Sequence, residues 1–289
     1  MPYLIHIAIL FFIYAILGVG LNLIVGYAGL LSVTHAAFYG IGAYATAVAL
    51  AHYGLGFFAS VILGIVITAI VSLLAGMVLS KFKDDYYALA SFGFNVIAFS
   101  IFLNWESVTK GPLGIPGIDR PSLFGFTFSA NETFLALAVV LFGAVYALAH
   151  FIANSSFGRV LKAIREDEKA LEVFGYKVAY FKLAIFVIGA AMASIAGSLF
   201  ASYITYIDPS SFSLNESIFI LAIVIMGGLG SLRGTLAGAL FLILLPEILR
   251  FVGLPTDIAA QMRQIIYGAI LVLLMLYRPK GFIGEYEVK

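Results

Sequence analysis

Residues 183–204 read LAIFVIGAAMASIAGSLFASYI, a continuous apolar run without Asp, Glu, Lys or Arg. A largely uncharged run of more than ~18 residues is long enough to cross a bilayer as a helix. Within the run, Gly189, Ala193 and Gly197 recur at intervals of four, a spacing of small residues that lets membrane helices approach closely. The run therefore predicts a transmembrane helix packed tightly against a neighbour.

The composition of the whole chain gives the same indication. Hydrophobic residues make up 63% of the 289, the mean hydropathy is +1.09, and charged residues are only 11%, against ~25% in average soluble domains. A soluble domain of this size cannot cover so much apolar side chain, so we predict an integral membrane protein. The absence of cysteine excludes disulfides, thiolate catalysis and cysteine-ligated metals. The net charge of +1 does not indicate a nucleic-acid partner.

Glycine, proline and charged residues divide the chain into about nine hydrophobic spans, with eight to ten as the range. The spans lack the alternating pattern of a transmembrane barrel, so we predict an all-α integral membrane protein with a single transmembrane domain over residues 1–289. No Lys or Arg precedes the first span, which we interpret as a retained helix rather than a signal peptide. The spans lie near residues 3–25, 35–53, 57–80, 86–103, 132–153, 180–204, 214–230, 234–252 and 264–277.

The basic residues predict the orientation, because cytoplasmic loops carry an excess of Lys and Arg. On one side of the predicted bundle only four of the 16 basic residues occur, namely Lys110, Arg120, Arg250 and Arg263. The other twelve are Lys81, Lys83, Arg159, Lys162, Arg165, Lys169, Lys177, Lys182, Arg233, Arg278, Lys280 and Lys289. We therefore expect the N-terminus outside, the C-terminus in the cytoplasm, and the loop at about 104–131 outside.

The segment at about 156–175, SFGRVLKAIREDEKALEVFG, is the main charged stretch of the chain. Its apolar residues recur at roughly helical spacing and predict one cytoplasmic helix with an apolar face. That face has to meet either another subunit or the inner face of the chain itself. Gly175 is placed to end the helix. The apolar residues are Val160, Leu161, Ile164, Leu171 and Phe174.

The loop at 104–131 is rich in turn formers, with KGPLGIPG at 110–117. Two interpretations stay open for it: a structured lid on its own helices, or part of a docking surface for an external partner.

Between the ends of the spans we find no Asp, Glu, Lys or Arg; Glu216 and Glu247 lie near the outer ends. Ion-coupled transporters usually keep an ionisable group near the midplane, although a sodium site of carbonyls and hydroxyls would escape this test. The polar groups inside the spans are mild and favour interhelical hydrogen bonds; of these, Asn95 is the best candidate to line a path. The four histidines, His6, His35, His52 and His150, are interpreted as neutral interfacial residues.

Two glycine-bearing turns, GYAGLLS at 26–32 and GGLGSL at 227–232, occupy equivalent places between consecutive spans. They are interpreted as tight turns between close-packed helices, with an internal duplication as the alternative. The second is not a phosphate loop, because no lysine follows its glycines in the required place.

Four ordered motifs, spread over nearly the whole chain, resemble those of the branched-chain amino-acid ABC importer permeases. Residues 22–44, NLIVGYAGLLSVTHAAFYGIGAY, are similar to the first signature of that family. Residues 157–175 resemble its cytoplasmic coupling segment, and AIREDE at 163–168 is closest to the M-type subunit. GGLGSLRG at 227–234 and LPEILR at 245–250 resemble the late signatures.

The resemblance implies that the charged segment fits a groove on an ATPase. Where the general pattern is E-A-A-x-x-x-G, this chain has Lys169-Ala170-Leu171 and then Gly175, with the glutamate displaced to Glu168. Exposed charge pairs are worth at most ~1 kcal/mol, so Arg165→Ala is expected to have a milder effect than a change at Gly175. The coupling residues implied are Arg159, Lys162, Arg165, Glu166, Glu168, Ala170 and Gly175, and the candidates to line the translocation path are Asn22, Ser91 and Asn95.

The resemblance also implies the partners. A second homologous permease would form a heterodimeric path with this chain, two cytoplasmic ATPase subunits would bind ATP and Mg, and an external binding protein would deliver the substrate. This chain itself would be a permease subunit and not an enzyme, with no cofactor, catalytic residue or metal of its own. Its location would be a bacterial or archaeal cytoplasmic (inner) membrane, as a multi-pass protein.

Other functions stay open at this point. Urea and short-amide importers have similar permeases, so the substrate is either a branched-chain amino acid or one of these amides. A stand-alone secondary amino-acid transporter would work without ATP. A membrane enzyme is disfavoured because the chain lacks clustered polar residues at either interface, and a scaffold subunit would have no path of its own.

Overall fold

The predicted hydrophobic spans form helices in the computed structural model, which describes residues 2–123, 126–251, 265–266, 268–269, 272–273, 280–284 and 286. Uncharged apolar runs favour helix in a bilayer because a helix satisfies its backbone polar groups internally. The helices are α1 (Pro2–Asn22), α2 (His35–Tyr53), α3 (Phe57–Leu79), α4 (Asp84–Asn104), α5 (Glu106–Thr109), α6 (Asn131–Asn154), α7 (Ser156–Glu166), α8 (Glu168–Val173), α9 (Val178–Ile204), α10 (Leu214–Gly227) and α11 (Leu232–Phe251).

Eight of the nine predicted spans coincide with helices to within a few residues, namely α1 to α4, α6 and α9 to α11. The ninth, near 264–277, falls largely outside the described residues. Among the described residues, five helices are long and apolar enough to cross a membrane. In the part of the chain that the structure covers, extended structure is limited to four two-residue strands, so the prediction of an all-α architecture is confirmed.

Helices α2, α3 and α9 form the most tightly packed part of the bundle, and small residues make this possible. A Cβ on Gly197 would stand 2.1 Å from the Tyr39 carbonyl oxygen, and one on Gly42 would stand 2.4 Å from the Cα of Ser194. The hydroxyls of Thr46 and Ser198 hydrogen-bond across the contact at 2.7 Å. The predicted small-residue stripe of α9 therefore lies in a helix contact.

One helix, α1, is interrupted inside the bundle. α1 passes into a π-helical turn, Leu23–Tyr27, and residues 28–34 form no helix. Ser32 and Thr34 are nevertheless fully buried, whereas Leu31 is 41% exposed. The segment therefore lies with Ser32 and Thr34 in the protein interior and with Leu31 at the surface of the chain. Irregular backbone at membrane depth is tolerated where protein or a water-filled cavity surrounds it.

The loop at 104–131 packs on its own helices through a small antiparallel pair. Strand β1 (Ile115–Pro116) pairs with β4 (Tyr206–Ile207), with Ile115 opposite Ile207. A second pair joins β2 (Ser122–Leu123) to β3 (Phe126–Thr127). Ile118 is buried and donates its amide to the Thr205 carbonyl at 3.2 Å. The loop therefore packs on its own helices, in agreement with its interpretation as a structured lid, and its use as a docking surface stays a prediction.

Candidate functional site

The charged segment forms two short helices joined at Asp167. α7 begins after Ser155, whose hydroxyl accepts a hydrogen bond from the Gly158 amide at 3.2 Å. Asp167 is extended, with φ −152°, and its carboxylate caps α8 by accepting from the Ala170 amide at 3.0 Å. The prediction of one helix over 156–175 is therefore wrong, because an aspartate favours the N-cap position and starts a second helix here.

Gly175 ends the second helix in the left-handed conformation, as predicted. Its φ is +87°, and its amide donates to the Glu172 carbonyl at 3.0 Å. The Tyr176 amide donates to the Leu171 carbonyl at 3.1 Å. Apart from its two chain neighbours, no described residue places an atom within 4 Å of the position that a Cβ on Gly175 would take. Backbone conformation, and not lack of space, is what favours glycine here.

The apolar face of the segment is divided between the chain itself and the outside. Leu161 and Ile164 are 0% and 3% exposed, so α7 packs on the chain's own inner face. At the end of α8, by contrast, Val173 and Phe174 are 87% and 78% exposed. This exposed pair, which we call the apolar tip, is the part of the segment that remains free to contact another subunit.

Arg165 points back into the bundle rather than out to solvent. Its guanidinium donates to the Gly26 carbonyl, and to the Val25 carbonyl at 3.2 Å, both in the π-turn that ends α1. It also lies 4.1 Å from the centroid of the Tyr286 ring, in cation–π contact. Burial lowers the pKa of Arg165, while Tyr286 and Glu166 act in the opposite direction. Arginine stays charged at such a site, so a cation is held against the interrupted helix.

Two further predicted coupling residues also face the chain itself. The Lys162 ammonium lies 5.2 Å from the centroid of the Tyr27 ring, at the end of the same π-turn. Glu168 forms an ion pair with Lys182 of α9, with 2.5 Å between Oε2 and Nζ. Both contacts tie the charged segment to neighbouring elements of the bundle.

The other predicted coupling residues lie nearer the surface. Arg159 is exposed, and its guanidinium donates to the Ser156 hydroxyl at 2.8 Å within α7. Glu166 is exposed and Ala170 is half-buried. These residues, together with the apolar tip, make up the outward side of the segment.

Asn22, predicted to line a path, lies buried at the end of α1 and holds the glycine turn before α11. Its Nδ2 donates to Thr235 Oγ1 at 2.6 Å and to the Ser231 carbonyl at 3.0 Å. Its Oδ1 accepts from the Gly230 amide at 3.0 Å. A Cβ on Gly26 would stand 2.5 Å from the Gly230 nitrogen. The two glycine turns therefore contact each other, and Asn22 is the polar link between them.

The tail lies against the same turn. The Phe282 amide donates to the Met226 carbonyl at 2.9 Å, and the Ile283 amide donates to the Gly227 carbonyl at 3.0 Å. Tyr286, whose ring contacts the guanidinium described above, follows shortly after. One cluster thus joins the charged segment, the π-turn of α1, the end of α10 and the tail.

The two remaining path candidates differ in their hydrogen bonding. The Ser91 hydroxyl accepts from the Val33 amide at 3.0 Å and donates to the Ala88 carbonyl at 2.7 Å, so it anchors the irregular segment after α1. Asn95 is fully buried, yet neither polar atom of its amide has a partner among the described residues. It lines a cavity of about 220 Å³ between α4 and the start of α10.

Sequence reasoning missed one fully buried polar residue, His35. His35 is 0% exposed, and neither ring nitrogen has a hydrogen-bond partner in the described part of the chain, so its assignment as an interfacial histidine was wrong. It stands at the first position of α2, and a Cβ on Gly20 would lie 3.2 Å from its Nε2. The sequence feature that could have identified His35 as buried is the break in the apolar run just before α2. This break places the start of α2, and with it His35, inside the bundle instead of at its surface.

No group of three or more potential metal ligands occurs among the residues that the structure covers. The site consists of helix ends, glycine turns and two cations, Lys162 and Arg165, held at the π-turn.

Comparison with known proteins adds the family context. Residues 3–275 match the model of a family described as branched-chain amino acid transport system / permease component. The chain is 35% identical over 305 residues to the high-affinity branched-chain amino acid transport system permease protein LivM of Escherichia coli K12, covering 96% of this chain and 69% of that protein. No solved structure matches the chain.

Two other relatives cover much of the chain. LivH of Escherichia coli K12, another permease protein of the high-affinity branched-chain system, is 29% identical over 300 residues, with 96% of this chain and 92% of that protein covered. A probable branched-chain amino acid transport permease protein LivM of Methanocaldococcus jannaschii is 25% identical over 242 residues, which is 78% of this chain and 69% of that protein.

Proposed function

The chain belongs to the family of branched-chain amino acid transport permeases, and from this membership we propose that its charged segment couples a partner ATPase to the interrupted helix α1. It is a multi-pass membrane protein and a Liv-type ABC importer permease of the M type. Proteins of this family are transport permease subunits and not enzymes. ATP and Mg would accordingly be bound by two cytoplasmic ATPase subunits, and this chain would carry no cofactor.

The proposed substrate is a branched-chain amino acid, received from an external binding protein. The relatives are named as branched-chain amino acid transport permeases, which supports this choice over urea or a short amide. Apolar walls with mild polar groups suit a solute with an apolar side chain.

A second homologous permease is the proposed partner in the membrane. The outward face of α4 supports this, because Ile97 and Ile101 are 59% and 47% exposed beside a groove of about 630 Å³ that includes Ser100 and Asn104. Polar side chains at membrane depth favour a protein neighbour over lipid. The path would then run along the contact between the two permeases.

The proposed coupling route starts at the apolar tip of α8, which would enter the ATPase groove. Displacement of α8 would move α7, and Arg165 would pass this movement to the π-turn through the Val25 and Gly26 carbonyls. Asn22 would carry it on to the turn before α11. The single observation that supports this route most directly is the contact of the Arg165 guanidinium with the π-turn.

The proposed orientation follows from the basic residues. The N-terminus and the lid would face outside, and the charged segment and tail would face the cytoplasm. On the lid, Leu113 and Trp105 are 83% and 53% exposed, and this surface would meet the binding protein. The membrane would be a bacterial or archaeal cytoplasmic membrane. The span near 264–277 would bring the number of transmembrane helices to nine.

The coupling route can be tested with Arg165→Gln in the complex reconstituted with its ATPases, second permease and binding protein. A hydrogen bond to a charged group is worth ~1.5–3 kcal/mol, so we expect uptake to fall ~10-fold or more while ATP hydrolysis continues. Lys177→Gln, which removes an exposed cation between α8 and α9, serves as the control and should leave both activities unchanged. Wild-type uptake by Arg165→Gln would exclude the proposed route.

A further inference from the structure

A cavity of about 220 Å³ lies between the middle of α4 and the first residues of α10. This volume is below the ~300–1,000 Å³ of pockets for drug-sized ligands, so it suits one small solute. No residue of its wall carries a charge. The wall is formed by Asn95, Val96, Phe99, Ser213, Leu214 and Asn215.

Asn95 is an unusual wall residue because its amide is completely buried and unpartnered. Its side chain is 0% exposed, and neither Nδ2 nor Oδ1 has a hydrogen-bond partner among the described residues. An unpaired buried polar group destabilises the folded state, and such groups in native proteins usually bind water, an ion or a ligand. An amide offers both a donor and an acceptor, so the missing partner carries both kinds of group.

The start of α10 supplies the second polar feature of the wall. The helix begins at Leu214, and its N-cap residue Ser213 makes no side-chain capping hydrogen bond. The amides of Leu214 and Asn215 have no acceptor in the described part of the chain. Glu216, the acidic residue of the first turn, accepts a hydrogen bond from the Tyr14 hydroxyl of α1 at 2.6 Å. Free N–H groups at a helix N-terminus bind carboxylates and other anions.

We propose that this cavity binds a zwitterionic α-amino acid with an apolar side chain during its passage through the membrane. The carboxylate binds the free amides of Leu214 and Asn215. The Asn95 amide, which has no accessible surface in the structure, turns toward the cavity, where its carbonyl oxygen accepts from the ammonium group and its Nδ2 donates to the carboxylate. The apolar side chain lies along Val96 and Phe99. This inference rests on the proposed function, because it names the place where the transported solute pauses.

The chemistry of the wall sets the strength of binding. With hydrogen bonds and a helix terminus but no opposite charge, the wall holds both ends of the zwitterion weakly. Weak binding suits a path, since the solute has to leave the site again. A solute that lacks either the carboxylate or the ammonium leaves one of the two polar features unpaired and is rejected.

The chain has no cysteine, so Ser213→Cys gives a unique thiol in the cavity wall. Since Ser213 makes no capping bond, its replacement preserves the helix start. The labelling rate of this thiol by a small methanethiosulfonate reagent is measured in the purified permease complex without ATP, with and without millimolar L-leucine. We expect L-leucine to slow labelling at least 5-fold, and leucinamide and 4-methylpentanoate, which lack the carboxylate and the ammonium respectively, to have no such effect.

The matched control is Ser210→Cys, which is exposed and lies three residues before Ser213 but is not part of the cavity wall, and whose labelling L-leucine should not slow. Adding Asn95→Leu to Ser213→Cys should abolish protection, and Asn95→Gln should retain part of it. A cavity thiol that the reagent does not reach, that L-leucine does not protect, or that both analogues protect equally overturns the proposal. Because the assay needs neither ATP nor uptake, its failure is distinguishable from failure of the coupling route.

Discussion

The Arg165 guanidinium donates a hydrogen bond to the Gly26 carbonyl oxygen across 139 residues of sequence. Gly26 lies in the π-turn Leu23–Tyr27, and π-turns within helices occur frequently at functional sites. The donor belongs to the surface segment, whereas the acceptor belongs to a helix that is buried in the bundle. The bond is therefore a direct mechanical connection between the face that would meet an ATPase and the interior of the membrane domain.

This connection revises the expectation for Arg165. As an exposed residue it was expected to contribute at most ~1 kcal/mol. In the structure it is half-buried, contacts two carbonyls and an aromatic ring, and its pKa is lowered by burial. Loss of the cation leaves partly buried carbonyls without a donor, which costs more than loss of an exposed ion pair. The effect of a change at Arg165 is thus expected to be large rather than mild.

Asn22→Ala is expected to destabilise the membrane domain. The change leaves the buried Gly230 amide without its acceptor, at ~1–3 kcal/mol. It also removes the hydrogen bond to the Thr235 hydroxyl, whereas the Ser231 carbonyl still accepts from the Thr235 amide. Thermal unfolding in detergent, followed by intrinsic fluorescence, should show a lower midpoint than the wild type. Asn104→Ala is the control, because Asn104 is exposed and its one side-chain hydrogen bond to a described residue is to the Ser100 carbonyl of its own helix. Equal midpoints for the two variants would contradict the role of Asn22 as the link between the glycine turns.

Gly26→Ala provides an independent test of that link. Its Cβ would stand 1.7 Å from Asn22 Oδ1 and would have to displace the amide. We expect the loss of unfolding free energy in the Asn22→Ala/Gly26→Ala double variant to be well below the sum of the losses in the two single variants, because both changes disrupt the same contact.

The proposed orientation predicts which loops an impermeant thiol reagent reaches in intact cells. With no native cysteine, Lys110→Cys and Lys169→Cys each carry one thiol. We expect position 110, beside the lid helix α5, to be labelled and position 169, on α8, to be labelled only after permeabilisation. The reverse pattern would invert the orientation and place the charged segment outside the cell.

The helices could be predicted because their signal is local. Apolar runs bounded by glycine, proline and charge gave eight spans close to the observed ones, and the spacing of Gly189, Ala193 and Gly197 indicated a helix contact. Gly175 could be predicted for the same reason, since a left-handed helix end depends on its own backbone conformation.

The contacts between distant segments could not be predicted in this way. Helical spacing identified a charged surface helix, but it did not indicate that Arg165 faces inward, because this depends on the π-turn of α1. Asn22 and Asn95 looked equivalent in the sequence as amides within apolar spans. Packing separates them, since Asn22 has partners in the glycine turn and Asn95 has none among the described residues. His35 was misassigned because a helix start inside the bundle resembles a span end at the surface.

Gly175→Val is expected to uncouple ATP hydrolysis from uptake while leaving the permease inserted. With φ at +87°, any side chain there is strained, by ~1–2 kcal/mol or more for a β-branched residue. α8 has only six residues and none is fully buried, so strain of this size is enough to unwind its end and displace the apolar tip. Uptake in the reconstituted complex should fall ~10-fold, and Gly175→Asn should restore part of it, because asparagine tolerates the left-handed conformation.

Gly54→Val is the matched control for strain. Gly54 also ends a helix, α2, with φ +60°, and in the part of the chain that the structure describes only its neighbours in sequence come within 4 Å of a Cβ. It lies far from the charged segment in the proposed orientation. Since both variants carry comparable backbone strain, a difference in uptake between them reflects where the strain lies and not how large it is. Comparable losses of uptake in the two variants would attribute the effect to general destabilisation, and full coupling in Gly175→Val would mean that the end of α8 does not transmit the signal.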